Sequence, residues 1–319
     1  MSLVFLTSGL LTTIQDAGRN GYRRFGINPN GAMDRAAARL INILLGNDGN
    51  EGVLEMHFPA PKIMFEEDAA ISLGGADFGA RLDETEVENW RPILVNRGSV
   101  LSFPRKISGA RMYLAVKGGF AVQKWLGSVS TNLRAKIGGF QGRSLRKGDV
   151  LFFKKTVEAR KTKTNYKISR SLIPPYSSFP TVRVISGAEI EYLSAKSRRD
   201  FQSKNFAVRH ESDRMGFRLE GESLNSEKKL ELISSAVDFG TVQQLPDGQL
   251  IILMADHQTS GGYPRVAHII SRDLPLVGQL GAADRLNFKI ISIEEAENLI
   301  AEYERDLNLL RTACLFKNF

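Results

Sequence analysis

The chain has 319 residues, 42% of them hydrophobic and 24% charged, which is the composition of an ordinary globular protein and excludes a disordered or fibrous one. At roughly 100–200 residues per domain, this length predicts two domains. The single cysteine, Cys314, excludes an intrachain disulfide and a cysteine-ligated metal cluster. No basic residue precedes the first apolar stretch and nowhere do about 18 apolar residues follow one another, so we expect no signal peptide, no membrane span and a cytoplasmic location.

Most of the net charge of +8 is concentrated in one segment. Residues 154–170 contain seven lysines and arginines but only one acidic residue, Glu158. A nucleic-acid-binding face would mix its basic residues with aromatic ones, whereas this cluster is typical of a solvated linker. We therefore expect no nucleic-acid partner, with polyanion binding as the minor alternative.

The first polar corner follows a short predicted strand near the N-terminus. Residues 12–22 place Gln15, Asp16 and Arg19 among small residues, which indicates a strand-to-loop corner that carries polar groups. The alternative is a glycine turn with a surface ion pair of little energetic weight.

A helix is predicted next, because its apolar residues have the i, i+3, i+4, i+7 spacing of one helical face: Ala37, Leu40, Ile41 and Leu44. Asp34 lies in the first turn of this helix, where a carboxylate interacts favourably with the positive end of the helix dipole. Gly46 and Asn47 end the helix.

Short strands without helical patterns dominate the rest of the chain. Residues 53–151 contain repeated runs of three to five apolar residues separated by glycine, proline and acidic residues, which predicts an antiparallel β domain. After the basic linker, strands resume at 181–185, residues 189–193 begin a short helix, and a capped helix runs from Ser292 to about Leu310. The expected fold is mainly β, with domains at 1–170 and 171–291 and a C-terminal helix and tail at 292–319.

The densest group of chemically useful side chains follows the apolar run 250–254. Asp256, His257 and Gln258 come directly after this buried strand, and two hydroxyl residues lead to Gly261 and Gly262. Glycines can take positive φ and let a ligand approach the backbone. The alternative is a strand-terminal loop whose polar side chains satisfy only their own backbone.

A second charged cluster begins the strand near residue 216. Asp213 and Arg214 are adjacent there, so their side chains point to opposite sides if the chain is extended.

Several chemistries are excluded by missing motifs. The sequence contains no Walker-type glycine loop, no His-Glu-x-x-His and no Gly-x-Ser-x-Gly. The four histidines are widely separated, so no metal site is expected, although His257 alone can serve as a general base near neutral pH. No Met-Lys-Met occurs in a strand turn, so we expect no covalent biotin on this chain.

Five motifs, in the same order along the chain, resemble one family, allophanate hydrolase subunit 2. This family includes the KipA antagonist and the C subunit of the bacterial 5-oxoprolinase. It also includes part of the carboxyltransferase region of biotin-dependent urea carboxylase, which occurs in urea amidolyase. The resemblance covers residues 5 to 290. The motifs lie at residues 12–19, 31–34, 111–119, 213–219 and 256–264.

The resemblance implies two cyclophilin-like β-barrel domains and a heteromeric complex. The implied partners are the B subunit or a KipI-like protein and, for 5-oxoprolinase members, a third subunit. In those members the assembled complex uses ATP to open the lactam of 5-oxoproline, giving glutamate; other members act on urea-derived substrates.

The same resemblance implies the candidate site residues. Proton transfer is expected from Asp256 or His257, with Gln258 beside them. Substrate anions are expected at Arg19 or Arg214, and oxyanion contacts at the amides of Gly261 and Gly262. The remaining substrate-binding candidates are Asp16, Asp34, Asp213 and Tyr263.

Three departures from the family pattern stand out. Val129 lies where the family has an arginine, which weakens the case for substrate-anion binding there. Residues 281–284 and 243–246 also differ from the usual pattern, which is expected to alter turns only. Three functions stay open: a 5-oxoprolinase-type amidohydrolase subunit, a KipA-type module that binds an inhibitor of a sensor kinase, and a biotin-dependent carboxyltransferase component.

Overall fold

The computed structural model describes residues 2–154, 162–227 and 232–317. The described residues form twenty strands and four α-helices, which confirms the prediction of a mainly β fold. They divide into two units, one made of residues 1–19, 30–174 and 304–319 and the other of residues 20–29 and 175–303. The predicted boundary near residue 170 lies a few residues before this change of unit, and residues 155–161 of the basic linker lie outside the described residues.

The first unit is built from two antiparallel sheets. The six-stranded sheet has the order β11-β1-β4-β9-β6-β7 and the five-stranded sheet the order β2-β3-β10-β5-β8. Their bounds in chain order are β1 Ser2–Phe5, β2 Thr12–Gln15, β3 Val53–His57, β4 Ile63–Phe65, β5 Ala69–Asp77, β6 Arg81–Leu82, β7 Thr85–Glu86, β8 Pro92–Val95, β9 Val100–Ser102, β10 Ser108–Val116 and β11 Val150–Phe152.

The alternation of side chains along β10 shows how this unit is layered. Leu114 joins Leu3 of the other sheet in one apolar core, whereas its neighbour Tyr113 joins a second cluster with Ile41 of helix α1 (Arg35–Leu44). Successive residues of a strand point to opposite faces, so the five-stranded sheet is buried on both sides. The predicted apolar stripe of α1 therefore packs as expected.

The second unit contains a closed seven-stranded barrel in the order β12-β19-β16-β17-β14-β13-β20. β12 and β20 are parallel and the other pairs are antiparallel. A separate two-stranded ribbon joins β15 to β18. The bounds are β12 Thr181–Ser186, β13 Phe206–Val208, β14 Gly216–Glu220, β15 Ser235–Ala236, β16 Thr241–Gln244, β17 Leu250–Leu253, β18 Ser260–Gly261, β19 Arg265–Ile269, β20 Arg285–Ile290, with helices α2 Ala195–Ser203 and α3 Leu274–Gly278.

The strand register of the barrel sorts side chains into an inner and an outer face. Phe217 pairs with Ile252, which pairs with Val242, and all three are fully buried inside. The neighbouring row, in which Arg218 pairs with Ile251 and Ile251 with Gln243, therefore lies on the outer face.

The last helix, α4, runs over Ile293–Lys317, longer than predicted because no glycine or proline interrupts the sequence after Ser292. The Ser292 hydroxyl accepts the N–H of Glu295 at 3.1 Å, as a helix cap does. The short helix expected at 189–193 is a 3₁₀ turn at Ile190–Tyr192 that precedes α2. None of the helices in the described part of the chain is long and apolar enough to cross a membrane.

Candidate functional site

In the first unit, Asp16 is the centre of a saturated hydrogen-bond network. Its Oδ1 accepts from the Ser128 hydroxyl (2.6 Å), the Ser130 hydroxyl (2.6 Å) and the Gly18 N–H (2.8 Å), and its Oδ2 accepts from the Val129 N–H (2.7 Å). The carboxylate is buried and fixes the segment 128–130 against the first corner. The oxygen atoms of Asp16 thus accept hydrogen bonds from within the protein itself.

Arg19 and Asp34 are also engaged within the protein. Arg19 is 1% exposed, donates to the Asn30 side chain and to the Ser130 carbonyl, and lies 5.1 Å from the centre of the Trp125 ring. Asp34 caps helix α1 by accepting the Ala37 N–H at 2.9 Å and is fully buried. Both side chains thus make contacts within the protein that stabilise this corner.

Position 129, where the resemblance led us to expect an arginine, is occupied by a core residue. The Val129 side chain is 3% exposed and belongs to the apolar core of the first unit, close to Gly52. No positive charge is therefore supplied from position 129.

Asp16 also lines a cavity of about 350 Å³ in the first unit. Arg35, Arg39 and Arg311 line the same cavity, but Arg39 forms a two-pronged ion pair with Glu304, one contact of which is 2.7 Å. The other lining residues are Ala17, Ala38, Asp48, Gly49, Asn50 and Glu51. Positive and negative groups are thus mixed around this space, and it carries no clear preference for one charge.

In the second unit, Asp256 and Arg214 bind each other. The Arg214 Nε donates to Oδ2 of Asp256 at 2.9 Å and its Nη2 to Oδ1 at 3.0 Å, while the side chains of Asp256 and Arg214 are 13% and 7% exposed, respectively. The Asp256 backbone is held as well, because its N–H donates to the Arg214 carbonyl and its carbonyl accepts from Asn28. In this geometry, the expected substrate-anion ligand and the expected proton-transfer group are partners of each other.

Asp213 lies directly before Arg214, in the turn that leads into β14 and not in an extended strand. It is exposed, and its Oδ1 accepts the N–H of Met215 at 2.7 Å to form the turn that enters β14.

His257 is a buried residue of the loop after β17. The ring is fully buried, and its Nδ1 lies 2.5 Å from the Gln258 carbonyl oxygen. A carbonyl accepts only, so Nδ1 carries a proton in this arrangement. The imidazole thus holds the loop that presents Gln258.

The two glycines of this loop differ from expectation, because neither Gly261 nor Gly262 has a positive φ. Gly261 lies in β18 and pairs with Ser235 of β15. A Cβ at Gly261 would stand 3.0 Å from Nε2 of Gln243, so a larger residue there would require a small shift of that amide.

Gln258 and Tyr263 meet at a cavity of about 270 Å³ on the outer face of the barrel. Gln258 and Tyr263 are both exposed, Tyr263 at 46%, so both residues are accessible to a ligand. The other lining residues are Arg218, Gln243, Leu245, Pro246, Asp247, Ile251 and Leu253. A cavity that combines apolar walls with a few polar groups, and that is near the small end of ligand pockets, suits a small metabolite.

The sequence did not single out Gln243 as a site residue. It is fully buried on the outer face of β16, its Nε2 donates to the Tyr263 carbonyl at 2.9 Å, and no group among the described residues donates to its Oε1. Its signal in the sequence was a polar pair, Gln243-Gln244, between the apolar residues Val242 and Leu245. Arg218 was part of a recognised motif but was not assigned a role.

Metal ligation finds no support in the described residues, where no group of three or more histidine, cysteine, aspartate or glutamate side chains is placed to hold an ion. The groups at the cavity of the barrel that can form hydrogen bonds are amides, a phenol, a guanidinium and the Asp247 carboxylate.

Comparison with known proteins places the chain in a class. Residues 25–290 match the family model described as carboxyltransferase domain, subdomain A and B, and the chain belongs to this family. The resemblance drawn from the five motifs is thereby confirmed.

Two bacterial relatives match this chain along nearly their whole length. It is 38% identical to the 5-oxoprolinase C subunit of Haemophilus influenzae, with 96% of each chain covered. It is 37% identical to the 5-oxoprolinase C subunit of Escherichia coli, with 92% of this chain and 93% of the relative covered.

Among solved structures, the urea amidolyase of K. lactis matches with a TM-score of 0.89 at 27% identity. The match covers 97% of this chain but 20% of the urea amidolyase chain, so this protein corresponds to about a fifth of that larger enzyme.

Proposed function

We propose that this chain is a non-autonomous subunit of an ATP-dependent 5-oxoprolinase-type amidohydrolase, which opens the lactam of 5-oxoproline to give glutamate. It acts with the B subunit, a KipI-like protein, and with a third subunit. The observation that supports this proposal most strongly is the match, over 96% of both chains, to the C subunit of 5-oxoprolinase. ATP use belongs to the assembled complex, and the roles given below concern only residues of this chain.

The cavity on the barrel supplies groups suited to this chemistry. Water adds to the lactam carbonyl carbon, the ring C–N bond breaks, and the ring nitrogen takes a proton. Negative charge develops on the carbonyl oxygen during the addition, and donors placed there lower the barrier. The Gln258 amide and the Tyr263 phenol line the cavity and are the donors we assign to this oxygen.

The other candidates of the same loop take supporting roles in this proposal. Asp256 holds Arg214, and His257 holds the backbone of Gln258. They fix the loop after β17 and thereby place Gln258 at the cavity.

The test is ATP-dependent glutamate release from 5-oxoproline by the purified complex of this chain with its partner subunits. Tyr263→Phe and Gln258→Leu are expected to lower kcat roughly 100-fold each, as removal of an oxyanion donor does. The matched controls are Tyr192→Phe and Gln202→Leu, which alter exposed residues that do not line the cavity. An assembled complex that releases no glutamate would contradict the proposal.

A second candidate is a carboxyltransferase component of a biotin-dependent urea carboxylase system. The family model and the match to urea amidolyase favour it. It requires biotin on a separate carrier protein. Transfer of labelled carboxylate from carboxybiotin to urea, in a complex that does not release glutamate from 5-oxoproline, would select this function.

A further inference from the structure

The first unit contains a larger cavity, of about 510 Å³, beside strand β11. The described residues that line it come from three segments, 121–125, 136–142 and 150–152. The first segment follows β11, because Ala121 donates its N–H to the Phe152 carbonyl at 2.7 Å. The volume is that of a pocket for a small molecule.

An apolar wall of this cavity is open to solvent. Leu151 of β11 belongs to the apolar core of the unit, so its neighbour Phe152 points to the outer face of the sheet. The Phe152 side chain is 57% exposed and lines the cavity. A large apolar side chain that is exposed beside a cavity is available to an apolar part of a ligand.

Two further rings line the cavity, and an arginine holds each of them. The guanidinium carbon of Arg19 lies 5.1 Å from the centre of the Trp125 ring, and that of Arg143 lies 4.8 Å from the centre of the Phe140 ring. Arg143 is itself fixed by two hydrogen bonds to the Asp149 carboxylate, at 2.6 and 2.8 Å. Rings that are already held in place lose little freedom when a ligand packs on them.

The charge at this cavity has one sign. Lys124 and Lys136 line it and are exposed, whereas no aspartate or glutamate of the described ranges lines it. Neither lysine forms an ion pair with a described acidic residue. An ammonium group on a flexible four-carbon stem can reach an anion held over the cavity.

The backbone indicates that two of these side chains are kept for a reason other than packing. Lys136 and Gln141 both have a φ of 55°, in the left-handed region that costs free energy for a residue with a Cβ. Glycine is used nearby where no side chain fits, since a Cβ at Gly142 would lie 2.0 Å from the Lys136 carbonyl oxygen. Lys136 and Gln141 are exposed, and their side chains form no hydrogen bond to another residue in the described part of the chain. Long polar side chains at strained backbone positions are typical of ligand contacts.

We propose that this cavity binds a small organic anion that carries a flat apolar ring. The ring packs on Trp125 and Phe152, and the anionic group, a carboxylate or a phosphate, binds Lys124 and Lys136. The Gln141 amide donates to an oxygen of the same group. The site belongs to the first unit, whereas the donors assigned to the lactam oxygen belong to the second, so this inference does not depend on the proposed function.

The experiment measures binding of four fluorinated probes to the full-length chain by ligand-observed fluorine NMR. Para-fluorobenzoate and para-fluorophenyl phosphate carry both ring and charge, para-fluorobenzamide lacks the charge, and fluoroacetate lacks the ring. At least one of the two ring anions is expected to bind at least roughly tenfold more tightly than both comparison probes, because only a ring anion makes both contacts. The tighter of the two identifies the anionic group. Added salt should weaken the binding of this ring anion and leave that of para-fluorobenzamide unchanged.

Lysine variants test the charge contact. Lys136→Met should lower the preference for the tighter ring anion over para-fluorobenzamide at least roughly threefold, and Lys124→Met combined with Lys136→Met should bring it close to one. Lys136→Gly removes the charge together with the backbone strain, so it should lose the preference while being more stable than Lys136→Met. A residue that served only the fold would not give this combination. Lys106→Met, at an exposed lysine outside the cavity, is the matched control and keeps the preference.

A phenylalanine variant tests the ring contact. Phe152→Ala should weaken the binding of both the ring anion and para-fluorobenzamide by roughly fivefold while retaining the preference for charge. Phe179→Ala, at another exposed phenylalanine that does not line the cavity, should leave both affinities unchanged.

Three results would each overturn the inference. They are no binding of either ring anion, binding of para-fluorobenzamide or fluoroacetate as tight as that of the ring anions, and an unchanged preference in both the Lys136→Met and the Lys136→Gly variants. A complex that releases no glutamate from 5-oxoproline would contradict the proposed function alone, because the probe affinities are measured without that reaction.

Discussion

Replacing Asp256 by alanine tests whether this residue stabilises the second unit or takes part in the reaction. The two N–H···O bonds of the Arg214–Asp256 pair are 2.9 and 3.0 Å long, and both side chains are nearly buried, at 7% and 13% exposure. Removing one partner of a buried pair leaves the other charge without compensation. We expect Asp256→Ala to lower the free energy of unfolding by about 3 kcal/mol, the lower end for such pairs because Asp256 retains some contact with water.

A double-mutant cycle isolates this pairwise energy. Replacing both residues, as Arg214→Met with Asp256→Leu, removes the uncompensated charge and is expected to cost less than the sum of the single replacements by more than about 1.5 kcal/mol. The control is the ion pair of Arg198 with Glu191, whose side chains are 36% and 76% exposed. Its removal is expected to cost less than about 1 kcal/mol.

The assay must report on the second unit. A protein of two units need not unfold in one transition. Both tryptophans, Trp90 and Trp125, lie in the first unit, so their fluorescence does not follow the barrel directly. Hydrogen exchange of the amides in β14 and β17, which are paired with each other, measures the free energy of opening where the ion pair lies.

One result would refute this reasoning. If Asp256→Ala leaves hydrogen exchange in these strands unchanged but abolishes glutamate release by the complex, then Asp256 acts in the reaction and the ion pair is not its main role. If Asp256→Ala instead lowers both the protection from hydrogen exchange and the glutamate release, and the doubly substituted protein recovers activity, the stabilising role of Asp256 is supported.

Three further outcomes are expected. Tyr113→Phe removes the hydroxyl that donates to Glu55 at 2.7 Å and accepts the Asp34 N–H at 2.8 Å in a fully buried site. The free energy of unfolding, measured by tryptophan fluorescence in urea, should therefore fall by about 2 kcal/mol. An unchanged unfolding midpoint would contradict this. Asp16→Ala leaves two hydroxyls and two backbone amides without their acceptor, so the free energy of unfolding in the same measurement should fall by about 3 kcal/mol. Asp16→Asn should lower it by less. Burial lowers the pKa of His268 below its usual value of 6.5, so the unfolded chain binds a proton there at a higher pH than the folded chain does. The free energy of unfolding should therefore fall as the pH drops below about 6.5. His268→Asn should flatten this part of the curve of stability against pH, and a curve identical to that of the wild type would contradict the prediction.

Local features of the fold were predictable because they depend on residues close together in the chain. The stripe of α1 repeats with the helical period, and Ser292 caps α4 as its spacing predicted. Asp34, which was expected in the first turn of α1, is instead the residue that caps this helix. The strand 250–253 and the polar loop after it were also evident, because a run of apolar residues ended at Asp256. The motifs gave the family for the same reason, since each is a short contiguous string.

The roles of the individual side chains were harder to predict. Arg214 and Asp256 are 42 positions apart, and in the sequence each alone has the features of a ligand-binding residue. Their pairing follows from the register of β14 against β17, which no local pattern specifies. In the same way, Asp16 and Arg19 were expected to face a substrate, but residues 128–130 return to them and use their hydrogen-bonding capacity.

The sequence by itself determined the mainly β fold, the first helix, the start of the last helix and the family, because these depend on periodicity, caps and contiguous motifs. Only the tertiary structure decided which polar residues face a cavity. Gln258 and Tyr263 come from one loop and Gln243 from β16, and closing the barrel with its ribbon brings them to one space. Hydrogen-bond partners distant in sequence are fixed by strand register and packing, so the availability of a side chain for chemistry follows from the folded chain as a whole.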